Sequence, residues 1–460
     1  MVLMYSKVKN ILSLRWAQIS LSFLAIVILG FIAFQYARIA HFPTGDDPAI
    51  HIWTIRNLSY RELFSSSSYP IPLSIFKFLQ GILGIDYPKL FTLTISLFLL
   101  FSSLCVGLLT KKVSNSWLLA FIGSTIFATG GWVADGLRMG LLAETFGWGM
   151  LALALYSLVS QNIVLTLIFS GLLALSHPFS FAIFIFVAVL YLLITMFSKE
   201  KKECNFALIL SLIYSIFVIL IFIFDKELIM KFLNFINPER IGWGERKLWE
   251  ILTTYNPRRI IVAFFALIGL ISNIKNWSKP AIKISYLLLF VGLFMSMNQI
   301  FGIRFLVFRF FPYLEMGLAI FAVLGIEYLV DKLKAFKNKP LLIIGITLFA
   351  VMPHYIDNGR AVYAQVNNAS LNDSMTDGDK EAFSWISTNI SKNSSLLATH
   401  KRAIWLRDLT VIDVREDDLL DAKTPSDYVY YSEVDSIQAQ AKNNFRLIYD
   451  KSGVKIYQKK

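Results

Sequence analysis

Gly45-Asp46-Asp47-Pro48-Ala49-Ile50-His51 follows directly on the first long apolar run of the chain, residues 17–40. Two adjacent carboxylates at the mouth of a membrane helix are costly to place and call for a compensating role. A helix-start signal comes next, because proline at the first helical position has no N–H left to satisfy. Asp47 is then the expected N-cap, with His51 one turn further on the same face. One reading is structural: Asp47 caps a surface helix and Asp46 is its solvated neighbour. The other gathers two acids and a histidine at a membrane surface for chemistry.

The composition of the whole chain supports a membrane setting. Hydrophobic residues make up 56% of it, 39 residues are Phe, and only 16% are charged. With a mean hydropathy of +0.59, a soluble domain could not hide this much apolar surface. The formal charge of +13 is therefore assigned to cytoplasmic loops and anionic lipids, and nucleic acid is not an expected partner. Cys105 and Cys204 lie in or beside apolar runs and suggest neither a disulfide framework nor a metal site. The basic N-terminus and its first apolar run read as a retained helix, since no small-residue cleavage site precedes the acidic stretch.

Further apolar runs fall at 89–110, 117–133, 139–160, 162–176, 178–197, 205–224, 259–274, 281–303, 305–330 and 340–356. A spanning helix needs about 20 such residues. The expected fold is thus an all-α polytopic membrane domain of about eleven transmembrane helices, residues 1–357, with a small C-terminal α/β soluble domain, residues 375–460. With the N-terminus cytoplasmic, the inner loops hold Lys111-Lys112, Lys199 with Lys201-Lys202, Lys275 with Lys279, and Lys332, Lys334, Lys337 and Lys339, as the positive-inside rule requires. Loops 41–88 and 225–258, the turns near 134–138 and 176–178, and the C-terminal domain then share the outer side. Ile71–Gly84 is too short to span and has the pattern of a helix lying in the interface. In the tail, 381–386 reads as an amphipathic helix, and strands are expected at 396–398, 411–414, 428–431, 445–449 and 453–457.

The outer turns carry the unusual polar residues. Asp135 and Arg138 precede Glu144, a carboxylate inside an otherwise apolar run and so a functional candidate. Glu144 is set against a structural pairing with Arg138, although a spacing of six puts the two on nearly opposite faces. His177 sits at a turn between two apolar runs, where it is either a hairpin residue or a contact to phosphate or sugar. Arg304 and Arg309 head a long apolar run. Their planar forks suit a lipid phosphate, against snorkelling by Arg304 or an ion pair with Glu315.

Asp46-Asp47-Pro48 with His51 after the first helix resembles the first outer loop of the GT-C superfamily of membrane glycosyltransferases. Oligosaccharyltransferase subunits have a similar Asp-Pro-x-x-His stretch there. Protein mannosyltransferases and aminoarabinose-type lipid transferases have a paired acid. A second acid near an outer loop, here Asp135 or Glu144, is similar to the second acidic motif of several members. The tail lacks the Trp-Trp-Asp signature of oligosaccharyltransferases, so the subfamily stays open.

The resemblance implies transfer of a sugar from a polyprenyl-phosphate donor to a glycan, lipid or protein acceptor. Asp47 is the first choice for base and Asp46 the alternative, with Glu144 as a further catalytic acid. His51, Asp135, Arg138, His177, Arg304 and Arg309 are the candidate substrate contacts. Whether a divalent ion bridges Asp46, Asp47 or Glu144 is left open; their oxygens would suit Mg²⁺ or Mn²⁺. A transporter or flippase of lipid-linked glycans and an inactive assembly scaffold are the competing classes.

The topology has a direct test. Single cysteines introduced at Ser66 and Ser436 in a variant lacking Cys105 and Cys204 should both react with an impermeant reagent added outside. Labelling from opposite sides would refute the arrangement.

Overall fold

In the computed structural model of the chain the described residues are 47–67, 69–85, 87–133, 141–197, 201–224, 259–298, 307–333, 339–340, 342–350, 377–399, 402–403, 405–406, 410, 412–416, 426–432 and 445–460. The apolar run 17–40, Asp46, Asp135, Arg138, Arg304 and the 225–258 loop lie outside them. The chain divides into two compact units. One comprises Met1–Ala33, Leu97–Gly136 and Ala143–Asn358, the other Phe34–Ser96, Leu137–Leu142 and Gly359–Lys460.

The first helices of the chain are α1 (Asp47–Asn57), α2 (Tyr60–Ser66), α3 (Pro70–Leu83) and α4 (Tyr87–Ser114). They are followed by α5 (Trp117–Ala128), α6 (Leu142–Val159), α7 (Ile163–Ala174), α8 (Pro178–Met196) and α9 (Lys201–Phe224). Next come α10 (Arg259–Asn273), α11 (Pro280–Ser296) and α12 (Phe311–Lys332). Among the described residues, Lys89–Ser114, Leu142–Val159, Pro178–Met196 and Phe311–Lys332 are long and apolar enough to cross a membrane, and five more apolar helices are shorter.

Hydroxyl side chains survive within these helices by bonding their own backbone. Ser96, Ser103 and Thr110 of α4 donate to the carbonyls of Thr92, Leu99 and Val106, four residues back, so these three hydroxyls are satisfied within their own helix. On α10, Ile260, Phe264, Leu267 and Ile271 are exposed. Their spacing of four, three and four makes one outward apolar stripe, the surface a lipid-facing helix presents.

Helix α12 is the core of the first unit, and glycines fix its place. A Cβ at Gly269 of α10 would lie 1.9 Å from the Phe321 carbonyl oxygen, and one at Gly325 would lie 1.9 Å from that of Phe265. The two helices therefore touch backbone to backbone. On another side, a Cβ at Gly292 of α11 would meet the Leu314 nitrogen at 2.9 Å, and one at Gly317 the Leu289 Cα at 2.9 Å. Elsewhere in this unit Lys283 of α11 lies 3.6 Å from Glu203 of α9, both nearly buried, with its ammonium over the Tyr191 ring of α8.

In the second unit the amine of Lys77 on α3 donates to the carbonyls of Ile55 and Leu58 at 2.5 and 2.8 Å. It thereby satisfies the C-terminal carbonyls of α1. Helix α2 starts on a capping box between Ser59 and Glu62. Helix α3 begins at Pro70 and ends on Gly84 in the left-handed conformation, φ 59°. It buries Pro70, Pro72, Leu73 and Phe76 and turns Phe78, Ile82 and Leu83 outward, the amphipathic form expected from the sequence.

The tail forms α13 (Asp377–Asn389) and strands β1 (Ser395–Ala398), β2 (Asp413–Glu416), β3 (Tyr428–Ser432), β4 (Phe445–Lys451) and β5 (Val454–Lys459). They make one sheet of order β2-β1-β3-β5-β4. Strand β1 is parallel to β2 and β3, and β5 is antiparallel to β3 and β4. Strand β2 starts two residues later than its expected position. The Arg402 guanidinium is buried 3.3 Å from Asp379, and the Tyr430 hydroxyl donates to the same carboxylate. Where β1 and β3 begin, Asp427 accepts from the Ser395 N–H and hydroxyl at 2.8 and 2.9 Å, bonds that hold its carboxyl below the usual range.

Gly325→Ala should lower thermal stability in detergent, because its Cβ would meet a backbone carbonyl that cannot swing aside. Overpacking of this kind costs about 1–3 kcal/mol or more. Gly171→Ala on α7, where a Cβ meets nothing within 4 Å, should be neutral or gain up to about 1 kcal/mol.

Candidate functional site

Glu144 falls in the first turn of α6 and is 1% exposed. A carboxylate so desolvated needs an opposite charge. It meets Arg309, whose Nη1 lies 3.6 Å from Glu144 Oε2. Arg309 belongs to a 3₁₀ turn, Val307–Phe310, that runs straight into α12. Pro312 is in the first turn of that helix, where its missing N–H costs nothing. The guanidinium carbon also lies 5.7 Å from the Phe179 ring centroid, within cation–π range. Arg309 keeps 21% of its side chain exposed. It is thus a cation with a buried counter-ion and a minor part of its side chain exposed.

His177 stands at the N-cap of α8, ahead of Pro178. Its Nδ1 accepts from the Ser180 N–H at 3.2 Å and lies 2.9 Å from the Ser180 hydroxyl. That hydroxyl is 2.8 Å from the Tyr313 hydroxyl of α12. Both His177 and Tyr313 are buried. Burial and, after it, the nearby Arg309 hold the His177 ring well below the usual histidine range, so it is neutral with Nδ1 as acceptor. Gly147 allows this packing: a Cβ there would lie 2.6 Å from both His177 Cβ and Ser180 Oγ. Gly147 is one turn beyond Glu144, so one face of α6 receives the arginine and then the capping turn.

A second acid of α12 is spent on backbone. Glu315 accepts from the N–H of Trp132 and of Val133 at 2.9 and 3.0 Å. Helix α5 ends at Ala128, and the chain turns helical again at 131–133. The Glu315 carboxylate fits against Gly130, where a Cβ would lie 2.4 Å from Oε2. The Trp132 ring stacks on Phe311 with centroids 4.0 Å apart and planes at 10°.

The candidates from the sequence thus sort as follows. Glu144 and Arg309 are joined, and His177 is a helix cap linked to Tyr313 through Ser180. In the other unit, Asp47 is the first residue of α1, one position later than the N-cap expected for it. His51 on α1 is 7% exposed, edge-on to Tyr69 and stacked on Phe91 at centroid distances of 6.0 and 6.3 Å. Among the described residues no three of His, Cys, Asp and Glu converge to hold a metal. Asp46 lies outside those residues, as does the side chain of Asp47. Sequence reading passed over Gly147, Ser180 and Tyr313. Glu315 entered only as a partner for Arg309.

No protein-family model matches the chain, and no curated protein matches it in sequence. Its structure matches that of ArnT from Cupriavidus metallidurans in the apo state over 97% of this chain and 98% of that one, with TM-score 0.56 and 12% identity. The same protein bound to undecaprenyl phosphate matches with TM-score 0.55 and 12% identity, over 96% and 97%. Arabinofuranosyltransferase AftD from Mycobacteria, in its R1389S mutant, matches with TM-score 0.55 and 14% identity, over 96% of this chain and 41% of that one. The chain therefore has the GT-C membrane fold.

Because Glu144 is buried and Arg309 is partly open, the two halves of the pair are unequal. Removing one partner of a buried pair costs about 3–5 kcal/mol when the other charge stays buried. Arg309→Ala should therefore lower the unfolding temperature more than Glu144→Gln, which leaves a cation with an exit to water. Equal losses would show that Glu144 does not depend on this arginine.

Proposed function

We propose that the protein is a membrane glycosyltransferase that moves a sugar from a polyprenyl-phosphate-linked donor to an acceptor at the outer membrane face. The observation that carries this reading is the whole-length likeness to ArnT, one structure of which holds undecaprenyl phosphate. The partly exposed Arg309 beside apolar helices supports it, because such a cation suits the phosphate of a lipid that enters sideways from the bilayer. Residues 34–96 and the C-terminal tail also fall in one compact unit, which supports placing both on the outer side.

In this reading an acceptor oxygen or nitrogen attacks the anomeric carbon of the donor sugar. Its bond to the phosphate oxygen breaks, and the polyprenyl phosphate leaves. The acceptor proton goes to a carboxylate, Asp47 or alternatively Asp46. Arg309 faces the departing phosphate, and Glu144 holds its guanidinium in place. Asp135, Arg138, Arg304 and His51 remain contacts proposed from the sequence. A divalent cation, if used, would take its oxygens chiefly from Asp46 and Asp47, since Glu144 already faces an arginine.

The assay is purified full-length protein with a labelled polyprenyl-phosphate sugar and a panel of acceptors. Transfer releases the lipid phosphate; a flippase would move the lipid without releasing it. Asp47→Asn, or failing that Asp46→Asn, should keep folding near wild type and cut the rate about 10²–10⁴-fold. The double change Arg309→Ala with Glu144→Gln leaves no stranded charge and should raise the KM for donor roughly ten- to hundredfold, the loss of a contact of about 1.5–3 kcal/mol. Wild-type rates in both Asn variants would refute the mechanism.

A further inference from the structure

The Arg309 guanidinium is met by side chains from two different helices of the same compact unit. Glu144 of α6 lies 3.6 Å from Nη1, a separation at which opposite charges attract without the fixed geometry of a short charge-assisted hydrogen bond. Phe179 of α8 presents its ring to the guanidinium carbon, 5.7 Å from the centroid. The acid supplies charge, and the ring supplies a flat face. We propose that Phe179 is a positioning residue for donor binding: its face sets the plane in which Arg309 meets the phosphate of the lipid. This rests on the reading of the protein as a lipid-phosphate glycosyltransferase.

The ring can set that plane because it is itself held. Phe179 is 4% exposed and follows the capping pair His177-Pro178 in the first turn of α8. The His177 ring packs against it with centroids 5.5 Å apart. Phe310, the residue after Arg309, meets it edge to face at 5.9 Å and 87°. Ser180 next to it gives its N–H to His177 and lies 2.8 Å from the Tyr313 hydroxyl, which ties this turn of α8 to α12 four residues beyond Arg309. The plane matters because a guanidinium recognises a phosphate through two parallel N–H bonds, and a tilted fork makes only one of them. The attraction of the cation to the ring face is worth about two- to thirtyfold in an equilibrium constant.

The test replaces Phe179 in the full-length protein with mono-, di- and trifluorophenylalanine, which keep the shape of the ring and drain its face of negative charge. Binding of undecaprenyl phosphate in detergent is measured against the uncharged alcohol. Affinity for the phosphate should fall stepwise with fluorine number, by at least about threefold for the last member, and Phe179→Leu should lose as much or more. In a protein that also carries Arg309→Ala and Glu144→Gln the series should be flat, since the ring then has no cation to place. A flat series in the wild-type background overturns the proposal, even if Phe179→Leu binds poorly, because the ring would then be packing alone. An equal fall in both backgrounds overturns it too. If the wild type prefers the phosphate no more than the alcohol, the lipid-phosphate reading falls by itself. Thermal unfolding without lipid then decides whether the ring holds Arg309: fluorination should lower the midpoint relative to the same series in the Arg309→Ala, Glu144→Gln background, and parallel shifts would show that it does not.

Discussion

A carboxylate buried at the start of an apolar helix is the constraint around which the first unit is arranged. Glu144 cannot stay charged there without a cation close by. The only way to supply one from α12 is to hold that helix at a fixed height, so that the turn before it brings Arg309 level with the first turn of α6. The glycine contacts on two sides of α12 do this. Backbones in contact at Gly269 and Gly325, and at Gly292 and Gly317, leave no room for slippage along the helix axis. Setting one register sets everything at that end: Arg309 at Glu144, Phe311 under Trp132, Tyr313 at Ser180 and Glu315 on the 130–133 turn.

The same geometry explains what could be read in advance. Apolar runs, the interfacial pattern of α3 and the alternating strands of the tail are local signals with periods that a linear sequence displays. Glu144, Arg309 and His177 stood out because a charged or polar residue in an apolar stretch is anomalous wherever its partner lies. What could not be read was who meets whom. Sequence proximity suggests Arg138 for Glu144 and Glu315 for Arg309. The partnership that forms links α6 to α12 across five intervening helices among the described residues.

Other parts of the arrangement leave no side-chain signature. Glu315 bonds to backbone N–H groups, and any residue could supply those. Ser180 and Tyr313 are ordinary in composition, and Gly147 matters for the atom it lacks. In the tail, Arg402 is unremarkable as a sequence position, yet its guanidinium is buried against Asp379 of α13, the carboxylate through which Tyr430 of β3 ties α13 to the sheet. The run 117–133 reads as continuous, yet α5 ends at Ala128 and the N–H groups of Trp132 and Val133 go to Glu315, a break that hydropathy does not display.

The His177 cap has a consequence for the charge that this end of the molecule can accept. A ring that receives the Ser180 N–H through Nδ1 cannot take a proton there without giving up the start of α8, and a second positive group beside Arg309 would be repelled. His177 therefore contributes nothing, while Glu144 and Arg309 cancel. In the proposed reading, a phosphate approaching Arg309 meets a cation already countered at its back by Glu144. The long-range pull is then weaker than that of several unpaired arginines, and occupancy by a lipid phosphate should change less with ionic strength than at such a site.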